Sequence, residues 1–368
     1  MTVCYLDYNA TAPLRPAAKA AMIAALEVEA NPSSLHRPGR AARALVEEVR
    51  EAVAALVGAK PLEVLFTAGA TEANNLCLAG TKAASVFASA GEHESVLAAL
   101  QGTTLPLLPD GRLDLDALEN LLKTAEQPVL LSLQAANNET GVVQPVAEAL
   151  ALVKAVGGWL HCDAVQAVGR LDPALWSEAD YVSLSAHKIG GPKGVGALIL
   201  RDAAPLAPLL RGGGQERRLR AGTENVAAIA GFGAAALAVA ECWRAEAERT
   251  RSLRDRFEAG LRALAPDAAV FGGDAERLPN TSCFAFPGQR AETLLIKLDL
   301  AGVFVSSGSA CSSGKVERSH VLTAMGIAPH LAEGALRFSF GWNSSEAEVD
   351  QALAALAGCL KRGERAVA

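Results

Sequence analysis

A lysine set among glycines, directly after a short apolar run, is the clearest candidate for covalent chemistry. It lies in the segment Ser185-Ala-His-Lys-Ile-Gly-Gly-Pro-Lys-Gly-Val-Gly196. An amine that its surroundings keep neutral can form a Schiff base with a carbonyl group, which makes Lys188 a candidate for holding a cofactor. Ser185 and His187 could donate hydrogen bonds to a phosphate. The spacing does not match G-x-x-x-x-G-K-[ST], which excludes a P-loop; a glycine-rich turn with solvent-facing lysines is the structural alternative.

Two further polar segments follow apolar runs in the same way. Asp163, in His161-Cys-Asp-Ala-Val-Gln166, could hold the ring N–H of a pyridinium and so keep the ring an electron sink. Capping of a helix N-terminus by Asp163 is an equally good explanation. Thr67-Ala-Gly-Ala-Thr-Glu72 resembles a strand, a turn and the start of a helix, where backbone N–H groups could bind phosphate. Ordinary capping by Thr71 is the alternative.

A histidine and an arginine stand out for their surroundings. His93 follows Gly91-Glu92 after a predicted strand, where it could stack on a cofactor ring and move protons near neutral pH. A lone histidine is more often a hydrogen-bonded structural residue. Arg337 interrupts an apolar strand, and buried arginines are rare unless they are paired. Its partner could be a substrate carboxylate or an internal glutamate, and the sequence leaves both open.

One of the seven cysteines lies in a setting unlike that of the others. Cys311 stands in the small, polar segment Ser306-Ser-Gly-Ser-Ala-Cys-Ser-Ser-Gly314. A thiol on such a segment can present the thiolate, which is the nucleophilic form. Free cysteines are mostly small buried apolar residues, and that interpretation is applied to Cys4, Cys77, Cys162, Cys242, Cys283 and Cys359.

Short apolar runs alternate with helical patterns and predict the framework that brings these residues together. The predicted strands are Ser85–Ala88, Thr103–Leu108, Val129–Leu133, Trp159–Asp163, Tyr181–Leu184 and Ala197–Leu200. Helical patterns between several of them indicate an α/β fold, with a mostly parallel sheet sandwiched by helices. Ligands of such sheets bind at the carboxyl ends of the strands. We therefore expect three segments, Gly69–Glu72, Asp163–Gln166 and Ser185–Lys188, to meet at one edge.

The pattern of predicted strands and helices changes after a long helical stretch, Glu224–Leu264. Beyond it, short strand patterns alternate with helices and predict a smaller α+β unit. We predict a large domain over residues 14–245, and a small domain formed by residues 1–13 and 246–368 that carries the Cys311 segment. A chain of 368 residues is long enough for about two domains.

Composition excludes several classes of function. The net charge is −6 and no dense basic run is present, which argues against nucleic-acid binding. The longest apolar stretch, Val226–Ala240, is mostly Ala and Gly, so we expect a buried helix and no membrane span. The cysteines are odd in number, contain no C-x-x-C pair and suggest no metal site. With no signal-peptide pattern at the N-terminus, these features predict a reducing, cytoplasmic setting.

Taken together, the motifs closely resemble those of the cysteine desulfurases, in the class V aminotransferase-like branch of fold type I pyridoxal 5'-phosphate (PLP) enzymes. The resemblance runs from Tyr5-Leu-Asp-Tyr-Asn-Ala-Thr-Ala-Pro13 to Leu336-Arg-Phe-Ser-Phe-Gly341, nearly the whole chain. Between these ends lie three further markers: Asn31-Pro-Ser-Ser-Leu-His36, Asn137-Asn-Glu-Thr-Gly141 and Arg220-Ala-Gly-Thr-Glu-Asn225.

The resemblance implies a role for each residue around the cofactor ring. Lys188 would bind PLP covalently and act in catalysis. Asp163 would pair with the pyridine nitrogen and Gln166 with the ring hydroxyl. His93 would stack on the ring as a catalytic residue, and Asn138 would lie beside the ring hydroxyl and the substrate.

The cofactor phosphate would be held by residues from two subunits. Ala70, Thr71, Ser185 and His187 would contact it from one chain, and Thr223 would reach it from the partner. The resemblance therefore implies a homodimer, because each site is completed across the interface.

The substrate and the sulfur would meet two more residues. Arg337 would bind the carboxylate of L-cysteine, and Cys311 would receive the sulfur as a persulfide while alanine is released. The sequence around Cys311 is similar to that of the group serving iron–sulfur cluster and nitrogenase pathways. This similarity implies a sulfur-acceptor protein such as an iron–sulfur scaffold. The chain departs from the family at Arg318, where proline is common.

Other functions are compatible with parts of the pattern. A selenocysteine lyase or a transaminase would use the same scaffold, although a transaminase has no use for Cys311 in a polar segment. A sulfur carrier or scaffold protein without catalytic activity could retain the fold, but it would not need every cofactor position. A Rossmann dehydrogenase is disfavoured because no G-x-G-x-x-G follows the first strand.

Overall fold

The computed structural model describes residues 3–201, 204–308 and 318–364, with side chains as far as residue 360. The strands of this part are β1 (Cys4–Tyr5), β2 (Val64–Thr67), β3 (Ser85–Ser89), β4 (Thr103–Leu105), β5 (Val129–Gln134), β6 (Trp159–Asp163), β7 (Tyr181–Ser185), β8 (Gly196–Leu200), β9 (Ala269–Val270), β10 (Thr281–Ala285), β11 (Val303–Phe304), β12 (Ser306–Ser307) and β13 (Leu336–Ser339). The helices are α1 (Pro16–Leu26), α2 (Arg37–Leu56), α3 (Ala70–Gly80), α4 (Glu94–Leu97), α5 (Leu115–Leu122), α6 (Val146–Ala155), α7 (Val226–Leu264), α8 (Ala291–Leu300), α9 (His320–Ala324), α10 (Pro329–Ala332) and α11 (Glu346–Glu364).

The larger sheet has seven strands in the order β2-β8-β7-β6-β5-β3-β4. β8 runs antiparallel to both of its neighbours, and the remaining pairs are parallel. Every residue of β5, Val129–Gln134, is buried, as expected for a strand whose two faces are both covered by helices. The mostly parallel sheet sandwiched by helices that the sequence predicts is therefore confirmed.

The central strands end on polar residues at one edge of this sheet. Gln134 ends β5, Asp163 ends β6 and Ser185 ends β7. Gln134 lies opposite Asp163, and Asp163 lies opposite Ser183, so β7 continues two residues further to Ser185 at the same edge. The apolar residues before them hold the strands in the core, so the polar ends are positioned firmly.

A second hydrophobic core surrounds a smaller sheet, in the order β12-β13-β10-β9. Its centre is aromatic: the ring of Phe257 stacks on Phe338 at 4.7 Å and lies 5.7 Å from Phe284. The N-terminal strand β1 pairs with β11 in parallel register, so the beginning of the chain joins the C-terminal region. The domain limits given above stay a prediction.

The long helix α7 links the two cores. Ile229 and Phe232, in its first half, pack in the core of the large sheet, whereas Phe257 and Leu261 pack around the small one. By length and composition alone, α7 is the one helix in the described ranges that could cross a membrane, and half of its most apolar window is buried. The core helix of a protein without membrane spans passes the same test.

Some elements differ from the sequence expectation for local reasons. The predicted strand Thr103–Leu108 ends at Leu105, because Pro106 has no N–H to donate to a neighbouring strand. The helix Pro16–Leu26 was not predicted, since its sequence PAAKAAMIAAL is apolar on nearly all sides and has no distinct stripe.

Candidate active site

A cavity of about 860 Å³ opens at the carboxyl ends of the large sheet. Ten of the predicted site residues line it: Ala70, Thr71, His93, Asn138, Asp163, Gln166, Ser185, His187, Lys188 and Arg337. Thr223 is exposed and is not among the lining residues. Cys311 falls between residues 308 and 318, outside the described residues.

Lys188 enters the cavity from a single helical turn that follows β7. Its Nζ donates to the backbone oxygens of Asn9, at 2.5 Å, and Ala10, at 2.9 Å. The turn closes through Gly190, which has φ of +84°, and a Cβ there would lie 2.6 Å from the side chain of Arg15. The N-terminal segment therefore fixes the position of the lysine amine.

Asp163 is a buried carboxylate that receives two hydrogen bonds from neutral groups. The backbone N–H of Val165 donates to Oδ1 at 3.0 Å, and Nδ2 of Asn74 donates to Oδ2 at 2.8 Å. In the part of the chain that the structure describes, no lysine, arginine or histidine forms an ion pair with it. A cationic N–H donor bound in the cavity would supply the ionic partner of this carboxylate. Asn74 was not singled out from the sequence, although it lies one turn after Thr71 on α3.

His93 presents its ring beside Asp163 while capping α4. Its Nδ1 accepts a hydrogen bond from the backbone N–H of Ser95 at 3.1 Å. Burial lowers the pKa of His93, and the nearby carboxylate of Asp163 only partly opposes this effect. The ring is therefore neutral at pH 7, and the bond to Nδ1 assigns the ring hydrogen to Nε2.

The first turn of α3 forms the opposite end of the cavity. It begins at Gly69, which has φ of +155°, and no side-chain hydrogen bond caps this end within the described residues. Its leading N–H groups are free to bind an anion, which the helix dipole also favours. Burial lowers the pKa of His187, which also lines the cavity, to about 4, so its ring is neutral.

Arg337 is 2% exposed and already has internal partners. Its Nη2 donates to Asp7 Oδ1 at 2.7 Å and its Nη1 to the backbone oxygen of Asn138 at 3.1 Å. An internal salt bridge thus exists, with an aspartate and not with one of the glutamates that the sequence suggested. The buried Nε–H has no partner in the described part of the chain, which leaves it free for a ligand in the cavity.

Two buried glutamates that are not among the predicted site residues adjoin the site. Oε1 of Glu92 accepts from the backbone N–H of Gln134 at 2.7 Å, and Oε2 of Glu139 accepts from the hydroxyl of Ser319 at 2.5 Å. Burial raises the pKa of both carboxyl groups. A Cβ added to Gly308 would lie 3.2 Å from Oε2 of Glu139, so this carboxyl group adjoins Gly308 as well as Ser319.

Comparisons with known proteins identify the family of the chain. A family model described as aminotransferase class-V matches residues 4–352. A cysteine desulfurase of Cereibacter sphaeroides is 45% identical over 96% of this chain and 94% of its own length. An IscS-like cysteine desulfurase of Mycobacterium tuberculosis is 40% identical over 99% of this chain and 98% of its own length. The solved structure of a NifS-like protein from Rickettsia africae superposes with a TM-score of 0.91 at 33% identity, covering 98% of this chain and 100% of that chain.

Proposed function

The chain belongs to the aminotransferase class-V family, and we propose that it is a PLP-dependent cysteine desulfurase in which Lys188 holds the cofactor and Cys311 receives sulfur. The desulfurase activity rests on relatives of that name, 40–45% identical over nearly their whole length. The observation that carries the residue assignment is the meeting of Lys188, Asp163 and the first turn of α3 around one cavity.

The residues of the cavity fit PLP. Lys188 supplies an amine, and Asp163 has no cationic partner in the described ranges, so it can accept the ring N–H. The uncapped start of α3, with Ala70 and Thr71, can hold the phosphate together with Ser185 and His187. Gln166 would bond the ring hydroxyl and His93 would stack on the ring face. When bound, PLP would supply the electron sink that lowers the barrier to removing the α-proton.

Around this site the chain's own groups would move protons and hold the substrate. Nζ of Lys188 would take the α-proton of L-cysteine and later return it to the same carbon as alanine forms. The buried Nε–H of Arg337, which has no partner in the described residues, would donate to the substrate carboxylate, while Nη1 and Nη2 hold the side chain in place. The side chain of Asn138, which lines the cavity, would lie beside the substrate.

Cys311 would carry the sulfur step. Its thiolate would attack the sulfur of cysteine, forming an S–S bond as the C–S bond breaks. The electron pair of the C–S bond would remain on the carbon, which takes up a proton and becomes the methyl group of alanine. One cysteine and one Cys311 thiol thus give one alanine and one Cys311 persulfide, with no external oxidant.

Two properties of the assembly follow from the family resemblance. Thr223 would contact the phosphate in the partner subunit of a homodimer; its exposure, outside the cavity of its own chain, supports this placement. The persulfide would pass to an acceptor protein such as an iron–sulfur scaffold, in the cytoplasm. Support for a reducing compartment is that the six described cysteines are all free.

The first experiment measures alanine and sulfide formed from L-cysteine with a thiol reductant, in wild type, Cys311→Ala and Lys188→Ala. We expect stoichiometric alanine from wild type and none from either variant. The visible cofactor band of wild type should be kept in Cys311→Ala and lost in Lys188→Ala. Persulfide on another residue of Cys311→Ala would overturn the assignment of that cysteine. Amino transfer retained in Cys311→Ala would show a transaminase, and turnover of selenocysteine alone would show a selenocysteine lyase.

The subunit arrangement has its own test. Thr223→Ala and Lys188→Ala chains are mixed, unfolded and refolded together, and then assayed at limiting PLP. If Thr223 acts across the interface, the mixed dimer contains one complete site and activity rises above that of either parent. No rise would show that Thr223 serves its own chain or neither.

A further inference from the structure

We propose that Arg170 is a positioning residue that fixes the side-chain amide of Gln166 with an N–H, and not its oxygen, directed at the ring hydroxyl of the cofactor. The inference rests on the proposed function, since it concerns the site for PLP. Arg170 was not among the residues selected from the sequence, and it is not among the residues that line the cavity.

The contacts of Arg170 determine which end of the amide it faces. Its Nη1 donates to Oε1 of Gln166 at 2.6 Å and to the backbone oxygen of Gln166 at 2.8 Å. A guanidinium has donors and no acceptor. The side-chain atom opposite it must therefore be the oxygen of the amide, and the reverse orientation would place two donors against each other.

The other end of the amide is fixed independently. Nε2 of Gln166 donates to the backbone oxygen of Asn9 at 2.9 Å. A carbonyl oxygen only accepts, so this contact also requires the nitrogen on that side. The two contacts agree on one orientation. Nε2 carries a second hydrogen, and Gln166 lines the cavity, so that hydrogen is the donor available to a ring oxygen.

Arg170 has no other evident task in the described part of the chain. Its Nη2 lies 3.4 Å from the backbone oxygen of Lys188, and no carboxylate there forms an ion pair with it. The nearby Glu246 is instead paired with Arg15, at 2.7 Å. Burial, reinforced by the positive charge of Arg337, lowers the pKa of Arg170 to about 10, so it stays protonated at neutral pH. Its contacts go to Gln166 and Lys188, the residues proposed to meet the cofactor hydroxyl and to bind the cofactor.

This arrangement has a spectroscopic consequence. A donor at the ring hydroxyl stabilises the ionised oxygen, which lowers the pH at which the visible band of the bound cofactor changes. Without Arg170 the amide can turn over, and a carbonyl oxygen then faces the ionised oxygen. The pH midpoint of the band should rise by about one unit, the size expected for the loss of one hydrogen bond.

The test is a double-mutant cycle on the holoenzyme, with pH titration of the visible band in wild type, Arg170→Met, Gln166→Leu and the double variant. We expect each single variant to raise the midpoint by about one unit and the double variant to equal Gln166→Leu within about 0.2 unit, because Arg170 acts through Gln166. Additive shifts would show that Arg170 acts by its charge alone and would overturn the proposal. An unchanged midpoint in Arg170→Met would do the same.

Two further variants keep the test decisive. Arg244→Met removes a charge from a side chain that is 75% exposed, and its midpoint should equal that of wild type. Arg170→Lys replaces Arg170→Met in the cycle should the latter not fold. Lysine keeps the charge but offers one donor centre, so about half of the shift is expected. That shift, too, must vanish in the Gln166→Leu background.

The outcomes separate this proposal from the proposed function. The band titration needs bound PLP and no turnover. A coupled shift in a protein that makes no alanine would retain the Arg170 assignment and overturn the sulfur chemistry. Alanine production together with additive shifts would retain the sulfur chemistry and overturn the Arg170 assignment. A chain that takes up no PLP would overturn both.

Discussion

The two polar sides of the cavity differ in how far they satisfy their own side chains. On the side of the large sheet, Asp163 is bonded by neutral donors only, and the first turn of α3 has no side-chain cap in the described residues. On the side of the small sheet, Arg337 is paired with Asp7 and with the backbone of Asn138. In the described residues, the large-sheet side leaves a carboxylate and several backbone N–H groups for a cofactor, whereas the small-sheet side is held by its internal ion pair and leaves one donor, Nε of Arg337, for a ligand.

This contrast predicts which property of the protein a substitution on each side should change. A substitution on the large-sheet side removes an interaction with the bound group, so cofactor binding and chemistry should suffer while the fold persists. A substitution on the small-sheet side breaks contacts within the protein, so substrate affinity or stability should suffer while the cofactor stays bound. The following experiments test that division, beginning with the largest effect.

Asp163→Asn should give the largest loss. The amide keeps the shape but cannot balance a cationic ring N–H, and breaking such a buried pair costs about 3–5 kcal/mol, or roughly 10²–10⁴-fold in alanine production. Absorbance at increasing PLP and the alanine rate measure the change. Asp172→Asn, at a side chain that is 60% exposed, is the control. Activity of Asp163→Asn within a factor of two of wild type would contradict the assignment of the large-sheet side to the cofactor.

Arg337→Lys should raise the KM for cysteine by about 10- to 100-fold, because a charge-assisted hydrogen bond from Nε is lost. Lysine can still neutralise Asp7, so the visible cofactor band should be unchanged. Steady-state kinetics and the spectrum of the same preparation decide the matter. Arg256→Lys, in an exposed pair with Asp350, serves as control. Loss of the band with an unchanged KM would place Arg337 on the cofactor side.

Glu92→Gln should change how stability depends on pH. Burial raises the pKa of Glu92 in the folded protein above its pKa in the unfolded chain. At any pH between these two pKa values, the folded wild type holds a proton on Glu92 that the unfolded chain has lost. The free energy of unfolding therefore falls as the pH rises through this window. The slope is about 1.4 kcal/mol per pH unit within the window. The variant should lack this slope, as measured by urea unfolding from pH 4.5 upwards. Glu119→Gln, at a surface position, should retain it; parallel curves for Glu92→Gln and wild type would contradict the expectation.

Ser319→Ala should give the smallest effect, a loss of about 1 kcal/mol of unfolding free energy. The hydroxyl caps α9 by accepting from the backbone N–H of Leu322 at 3.0 Å, and it donates to Glu139. Urea unfolding measures the loss, and Ser252→Ala on the surface of α7 is the control. Because Ser319 belongs to the internally paired side, PLP affinity should not change. A weaker affinity would show that the two sides are not separate.

Much of the framework follows from local sequence. The strand Val129–Gln134 is predictable because an apolar run of that length can only be satisfied between two layers of helices. Lys188 and Asp163 could be selected because each directly follows such a run, and the ends of parallel strands meet at one edge. The sequence also singles out Cys311 by its polar neighbours, although its position lies outside the described residues.

The partners of these residues could not be read from the sequence. Asn74 on Asp163, Asn9 beside Lys188 and Arg170 behind Gln166 lie within or next to segments that the sequence singles out, but nothing in those segments shows which residue each of them contacts. For Arg337 the sequence predicted an internal partner or a substrate, and the structure gave Asp7 at the far end of the chain.

What the sequence by itself determined is which segments form strands and helices, which faces are buried and which polar residues stand at strand ends, because these depend on neighbours a few positions away. Only the tertiary structure decided which donor faces which acceptor. The bond from Lys188 to the backbone of Asn9 spans 179 positions and that from Arg337 to Asp7 spans 330. Such pairs depend on how whole elements pack against each other, and side-chain periodicity carries no record of that packing.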